Sequence, residues 1–445
     1  MKRTLLDFLT QWKLKSPGKR RKPLVLRGAR QVGKTTLVEE WGRANFKNVI
    51  SINFEKSAEM RKIFRESEIP SILMLLEAHF KKKIDLDHDL LFLDEVQACP
   101  NALERLRYFY EDMPQLAVIA TGSLLDFILR KHDFSMPVGR VEFAYLGPMT
   151  YREFLLAQGE ERIVDFLDQW EEGKPFPVTI HDKCMGLLKK FFIIGGMPEA
   201  VLSWQQSGSL LEVQKIQQSL LSAFEADFGK YAKVVQVDRL QKMFATLPQK
   251  IGGKTVFAKI NPHESSRDLS AAYELLKLAR VITPIYHSSC NGVPLKSEAD
   301  FKFFKTLFLD VGMVSRALKV EFTDVAHLDD LSLVNQGMLS EQFVGQELLA
   351  SLAPFEPPEL FYWAREQRSS SAEVDYVIQH GSQIVPVEVK SGKTGRLRSL
   401  QLFLREKKKS LGVRLNSEPP SRLKTPDFEL VSLPLYMAGW LKQKL

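Results

Sequence analysis

A glycine-bracketed turn near the N-terminus constrains this chain more than any other feature. Gly28-Ala29-Arg30-Gln31-Val32-Gly33-Lys34-Thr35 fits G-x-x-x-x-G-K-[ST] at every fixed position. An apolar run over 23–27 precedes it and a helical pattern over 35–41 follows, so the turn joins a buried strand to a helix. Its glycines let the main chain curl until successive N–H groups point at one place, an arrangement suited to phosphate oxygens. Lys34 is long enough to reach the β- and γ-phosphates, and the Thr35 hydroxyl can ligate Mg²⁺. The helix that opens there, with Thr36 in its first turn, adds its positive dipole end.

A second element strengthens this reading. Residues 90–95, Leu-Leu-Phe-Leu-Asp-Glu, form an apolar strand ending in two acids. Asp94 would hold Mg²⁺ through water and Glu95 would polarise an attacking water. A further strand over 116–120 runs into Thr121-Gly122-Ser123, where Ser123 can sense a γ-phosphate. Gly139-Arg140 offers an arginine for the transferring phosphate, in its own subunit or in a neighbour's. The expected cofactors are ATP and Mg²⁺.

The pattern around these motifs is α/β. Strands over 49–54, 90–93, 116–120 and 141–145 alternate with helices over 58–66, 71–82 and 101–112, which predicts a parallel sheet with helices on both faces. The remaining chain divides by composition. Residues 1–21 read as a basic helix and linker, 22–150 as the P-loop core, and 151–232 as a helical lid broken at Gly195-Gly196-Met197-Pro198. Residues 233–325 read as a winged-helix-like region, with a helix over 273–279, a turn at Asn291-Gly292 and strands over 281–286 and 305–309. Residues 326–445 read as a separate α/β domain.

At this point residues 22–150 resemble an AAA-type ATPase of the archaeal-ATPase-like group. The resemblance rests on the phrase from Gly28 to Thr35, the Thr-Gly-Ser after the acids, and Gly139-Arg140 before Leu146-Gly147-Pro148-Met149-Thr150-Tyr151-Arg152-Glu153-Phe154. Gly195-Gly196-Met197-Pro198-Glu199 resembles the group's lid turn. The resemblance implies ATP rather than GTP.

A second cluster lies near the C-terminus. Asp375 sits in a strand-like run over 373–379, and Glu388-Val389-Lys390 ends the next run, over 384–390. Alternate residues of a strand share a face, so Glu388 and Lys390 point the same way, and a hairpin would bring Asp375 beside Glu388. Two carboxylates there could hold a hard cation, with Lys390 orienting water. A helix over 339–349 offers Glu341 or Glu347 as a further acid. The set resembles the D…E-x-K core of the restriction-endonuclease-like PD-(D/E)XK superfamily, and the phrase Glu373-Val374-Asp375-Tyr376 resembles one found in such domains fused to this ATPase group. By that resemblance Glu341 is the better helical acid, Asp375, Glu388 and Glu341 are metal ligands, and Asp375, Glu388 and Lys390 are catalytic.

Composition bounds the partners. Formal net charge is +8, and Arg365, Arg368, Lys393, Arg396, Arg398, Arg405 and Lys407 to Lys409 flank the cluster. These suit a nucleic-acid backbone, DNA in the first instance, with Tyr362 and Trp363 as candidate stacking platforms. Lys2, Arg3, Lys13, Lys15, Lys19, Arg20, Arg21 and Lys22 face a single acid, Asp7, and read as a solvated helix plus a basic linker. Cys99, Cys184 and Cys290 show neither metal nor disulfide spacing, and no apolar run reaches the ~18 residues of a membrane span, so a cytoplasmic setting is expected. Three functions compete. The first is an ATP-driven nucleic-acid machine with a nuclease-like domain. The second is a regulatory switch whose C-terminal domain is a catalytically silent scaffold for a protein partner. The third, a small-molecule kinase, is disfavoured by the paired acids and by the long chain that follows them.

Overall fold

The computed structural model describes residues 1–15, 21–130, 139–230, 232, 234–320, 336–367, 370–392 and 397–445. The linker residues Lys19 and Arg20 lie outside the described residues, as do Arg368, Lys393 and Arg396.

The first of two sheets carries β1 (Leu24–Arg27), β2 (Asn48–Asn53), β3 (Asp89–Asp94), β4 (Ala117–Gly122) and β5 (Glu142–Tyr145) in the order β2-β3-β4-β1-β5. Every neighbouring pair is parallel. All six residues of β3 are buried, because a parallel strand at the centre must be covered on both faces. Leu91 and Leu93 join a core with Ile72, Leu103 and Leu106 from the helices Ile69–Phe80 and Pro100–Asp112. Leu90 and Phe92 point the other way, into a core with Trp41 of the helix Lys34–Asn45.

That second core also takes the N-terminal helix Leu5–Leu14, whose Leu5, Leu9 and Trp12 lie on one face. The expectation of a solvated basic helix is therefore corrected. Arg3 is buried, and its Nε donates to Glu153 at 2.9 Å while Nη1 donates to the Val32 carbonyl at 3.0 Å. The Arg21 guanidinium lies 5.5 Å from the Trp12 ring centroid, and Lys15 pairs with Glu142 at 3.0 Å. Arg3 and Arg21 are thus buried, while Lys2 and Lys15 stay exposed.

Helices follow from Tyr151–Ala157 to Leu210–Asp227. They break where expected, between the helices Val178–Ile194 and Pro198–Ser207. Gly195 there has φ +72, and a Cβ on it would lie 2.1 Å from an Asp310 carboxylate oxygen, so both backbone and space demand glycine. Proline opens the next helix at the position where its missing N–H costs nothing.

The second sheet has β6 (Ile282–Ser288), β7 (Ala299–Phe308), β8 (Leu360–Gln367), β9 (Ser370–His380), β10 (Gln383–Val389), β11 (Leu411–Asn416), β12 (Ser421–Lys424) and β13 (Glu429–Pro434). Their order is β12-β13-β11-β10-β9-β8-β6-β7. Strands β8, β9 and β10 form an antiparallel meander, and β11 runs parallel to β10. The hairpin expected after residue 280 exists as β6 and β7. It does not stand apart as a wing, because β6 pairs in parallel with β8 and the hairpin becomes one end of the sheet.

One hydrophobic core joins the lid, the middle region and the C-terminal region. The Tyr151 ring meets Phe191 at 5.8 Å and Phe343, from the helix Gln336–Ala350, at 6.2 Å, both edge-on. Among the described residues no helix is long and apolar enough to cross a membrane. The cysteines Cys99, Cys184 and Cys290 are free and buried.

Candidate functional site: a phosphate cradle and a distant carboxylate cluster

The turn from Gly28 to Gly33 leaves the C-terminal end of β1. Since β4 lies between β3 and β1, Asp94, Thr121 and the turn meet at neighbouring strand ends, where ligands of open parallel sheets bind. Gln31 and Gly33 both have positive φ, 61° and 90°. Lys34 is buried, and its Nζ donates to the carbonyls of Gly28 at 3.0 Å and Ala29 at 2.7 Å. Burial brings its pKa down to about 8, with Glu95 and Asp94 pulling upward and Arg30 and Arg280 downward.

The Asp94 carboxylate is held from three sides. Thr35 Oγ1 donates to it at 3.1 Å, Asn53 Nδ2 at 3.0 Å, and Thr121 Oγ1 also donates. Glu95 takes up left-handed backbone, φ 52°, a strained conformation for a non-glycine residue of the kind found at functional sites. Its carboxylate accepts from Gln97 Nε2. Gln97 in turn presses on Gly122, where an added Cβ would stand 2.5 Å from its Oε1. The Ser123 hydroxyl is buried and has no hydrogen-bond partner. A cleft of ≈ 560 Å³ opens between Gly33, Lys34, Thr35, Thr36 and Glu95 on one side and Met149, Pro198, Glu199 and Leu202 on the other. An unpaired hydroxyl, a left-handed glycine cradle and a threonine beside a braced carboxylate all fit a magnesium triphosphate. Arg30 also lines this cleft, and it pairs with Asp227 at 2.7 Å at the end of the lid helix Leu210–Asp227.

Arg140 does not join this group. It precedes β5, whose Glu142 stands opposite Leu24 at the start of β1, so it lies at the edge of the sheet away from the cradle. There its Nε pairs with Glu111 at 2.9 Å. A different arginine approaches the cradle of its own chain. Arg280 follows the helix Ser266–Leu278, pairs with Asp126 at 2.7 Å, and lies 4.8 Å from the Tyr145 ring centroid. Sequence reasoning missed Arg280 and Arg3 because their partners are 154 and 150 residues away. Asn53 carried a usable signal, a polar residue ending an apolar strand beside the one that ends in Asp94.

The C-terminal acids also converge. Tyr376 stands opposite Val387 in the β9–β10 ladder, which brings Asp375 next to Glu388. The Val389 N–H donates to Asp375 Oδ2 at 2.8 Å, and Lys390 Nζ donates to Glu388 Oε1 at 2.6 Å. Glu388 Oε2 is buried without a partner. Glu341 faces the cluster. Glu347, two turns along the same helix, does not: it accepts from the Tyr151 N–H at 2.9 Å, and burial pushes its carboxyl up to about 8. Burial likewise raises Glu341 and Glu388, each to about 7, and pushes Asp375 upward.

The acids expected to form a metal set, Glu341, Asp375 and Glu388, share their surroundings with a lysine ammonium in this structure. Among the described residues no group of three or more His, Cys, Asp and Glu side chains is arranged to hold a metal ion. Lys305 of β7 intervenes, its Nζ 3.2 Å from Glu341, 2.8 Å from Glu373 and 3.8 Å from Asp375. Nor are the aromatics available for stacking. Tyr362 and Trp363 are both buried, and the Trp363 ring packs against Phe403 at 5.2 Å. Of the basic flank, Arg365 pairs with Glu406 at 2.9 Å, while Arg398 and Arg405 are exposed on the helix Arg398–Glu406.

Residues 20–155 match the model of an AAA domain. Residues 185–324 and 336–435 match two domains of unknown function, DUF8612 and DUF4143. No curated protein matches the chain. Among solved structures, the Walker-type ATPase paby2304 of Pyrococcus abyssi is similar at 15% identity, covering 71% of this chain and 95% of that one, with a TM-score of 0.46. The ORC2 protein of Aeropyrum pernix is similar at 13% identity, over 72% and 93%, with a TM-score of 0.38. The RuvB Holliday junction branch migration motor of Thermotoga maritima is similar at 16% identity, over 62% and 86%, with a TM-score of 0.30. The segment 20–155 is an AAA-type P-loop ATPase domain.

Proposed function

We propose that this chain binds ATP with Mg²⁺, hydrolyses it, and couples its nucleotide state to a C-terminal nuclease-like domain that binds nucleic acid. In this reading the amides from Gly28 to Thr35 wrap the triphosphate and Lys34 neutralises its terminal oxygens. Thr35 and Asp94 hold Mg²⁺, which supplies further charge neutralisation when bound. Glu95, steadied by Gln97, polarises the attacking water, and Ser123 gives its unspent hydrogen to the terminal phosphate. The order helix Gln336–Ala350, meander β8–β10, helix Arg398–Glu406 and parallel β11 suits the nuclease-like reading. Exposed Arg398 and Arg405, with the net charge of +8, suit a polyanion.

The observation that carries the coupling is the helix Gln336–Ala350. Glu341 near its middle faces the carboxylate cluster, and further along Gln346 donates to Asp310 at 3.4 Å. Asp310 also accepts the Gly196 N–H at 2.6 Å, two residues before Pro198, which lines the cleft. A lid that shifts on the nucleotide therefore pulls on the helix that frames the cluster. Fluorescence anisotropy with labelled DNA, at low salt with Mg²⁺–ATP, tests this on wild type, Lys34→Ala and Asp375→Ala. Wild type should bind, and Lys34→Ala should bind about tenfold more weakly, a coupling of ordinary size. Absence of binding in all three proteins overturns the reading.

The ion pairs of Lys305 favour a second reading, in which the C-terminal domain is a catalytically silent scaffold for a protein partner. ATP turnover that rises with such a partner and ignores DNA would select it.

A further inference from the structure

We infer that the C-terminal carboxylate cluster already holds its cation, the Lys305 ammonium, and that the domain engages its partner without a divalent metal there. The inference rests on the nuclease-like reading only in that this reading is what makes a metal expected.

Lys305 does not come from the segment that supplies the acids. It lies on β7, at the end of the larger sheet, where the strand passes from exposed Phe301, Lys302 and Phe303 to buried Lys305, Thr306, Leu307 and Phe308. Its side chain has 0% exposure. A lysine reaches such burial only when its charge is met at close range. The three carboxylates supply that: Glu373 and Glu341 lie at hydrogen-bonding distance, 2.8 and 3.2 Å, and Asp375 is the third charge at 3.8 Å. The Tyr362 ring, with its centroid 5.6 Å from Nζ, covers another side.

These separations are those of N–H···O contacts. A hard divalent ion needs oxygens at about 2.0–2.6 Å, and magnesium gives up its water reluctantly. Some of the remaining oxygens are also taken: Asp375 Oδ2 accepts the Val389 N–H, and Glu388 Oε1 accepts from Lys390. Glu388 Oε2 is buried without a donor. The ammonium thus does in this fold what a metal would do, neutralising carboxylates that could not otherwise share one pocket.

Manganese titration of the full-length protein without nucleotide, read by calorimetry and by the Mn²⁺ paramagnetic resonance signal, tests this. Wild type and Asp375→Asn should give the same isotherm. Lys305→Met should gain one Mn²⁺ per chain, bound about tenfold or more tighter than anything in wild type, and adding Asp375→Asn should abolish the gain; tenfold is 1.4 kcal/mol. A wild-type site that Asp375→Asn or Glu388→Gln weakens tenfold overturns the inference, as does a folded Lys305→Met protein that gains nothing. If Lys305→Met does not fold, the comparison of wild type with Asp375→Asn decides alone. Failure of DNA binding would end the coupling reading without moving this titration.

Discussion

The two charged centres of this molecule are built on opposite plans. At the cradle, groups are left for a ligand to complete: Glu95 and the buried Lys34 border an open cleft, Ser123 keeps an unused hydroxyl, and Glu95 has strained left-handed backbone. At the C-terminal cluster, charge is turned inward: Lys305 meets Glu341, Glu373 and Asp375, and Lys390 meets Glu388. Motifs of similar chemical appeal can therefore end in different states. What separates them is whether the fold supplies the opposite charge itself or leaves that to a ligand.

This contrast predicts where substitutions act. Lys305→Met should cause the largest change, lowering the unfolding free energy by about 3–5 kcal/mol, the usual cost of leaving buried charges unpaired. Urea unfolding measures it, and an unchanged midpoint would show that the cluster is not held together by the ammonium. Glu95→Gln should do the reverse, leaving the urea midpoint in place and slowing phosphate release by about 10²-fold or more, with nucleotide affinity retained. Normal turnover would remove Glu95 from its role. Arg140→Ala should change least. Its pair with Glu111 is half exposed, and such pairs are worth about 0–1 kcal/mol. Turnover of dilute monomer should stay within about twofold by the same scale. A loss that grows with protein concentration would instead show Arg140 serving a neighbouring subunit.

How far the sequence spoke also differs between the two centres. The cradle was legible because its motif is local: the glycines, Lys34 and Thr35 fall within one turn, Lys34 Nζ donates to the carbonyls of Gly28 and Ala29 inside it, and Asp94 and Glu95 end a strand whose apolar run marks it as central. The parallel sheet followed from the alternation of strand and helix. At the cluster, Asp375, Glu388 and Lys390 could be paired by counting along a hairpin. Lys305 could not be found that way, since it sits 70 residues from Asp375 (375 − 305) on a strand that reads as part of another unit. Tyr362 and Trp363 misled for a related reason. Aromatics beside arginines look like a stacking surface until the Arg398–Glu406 helix closes over one side of the sheet, where Trp363 meets Phe403. Arg3 was read as solvated because Asp7 is the single acid among the basic residues around it; Glu153, its partner, arrives only with the fold.

The pairing of β6 with β8 bears on how this chain can be dissected. The hairpin falls in the stretch 185–324 and β8 in the stretch 336–435, so a boundary drawn between those matches cuts through a hydrogen-bonded ladder. A fragment beginning at residue 336 would carry β8 as a bare margin, with main-chain donors and acceptors seeking another strand, and would leave Lys305 behind with the discarded piece. Such a fragment invites self-association through that margin, so biochemistry on the C-terminal part is best done with residues 282–308 still attached.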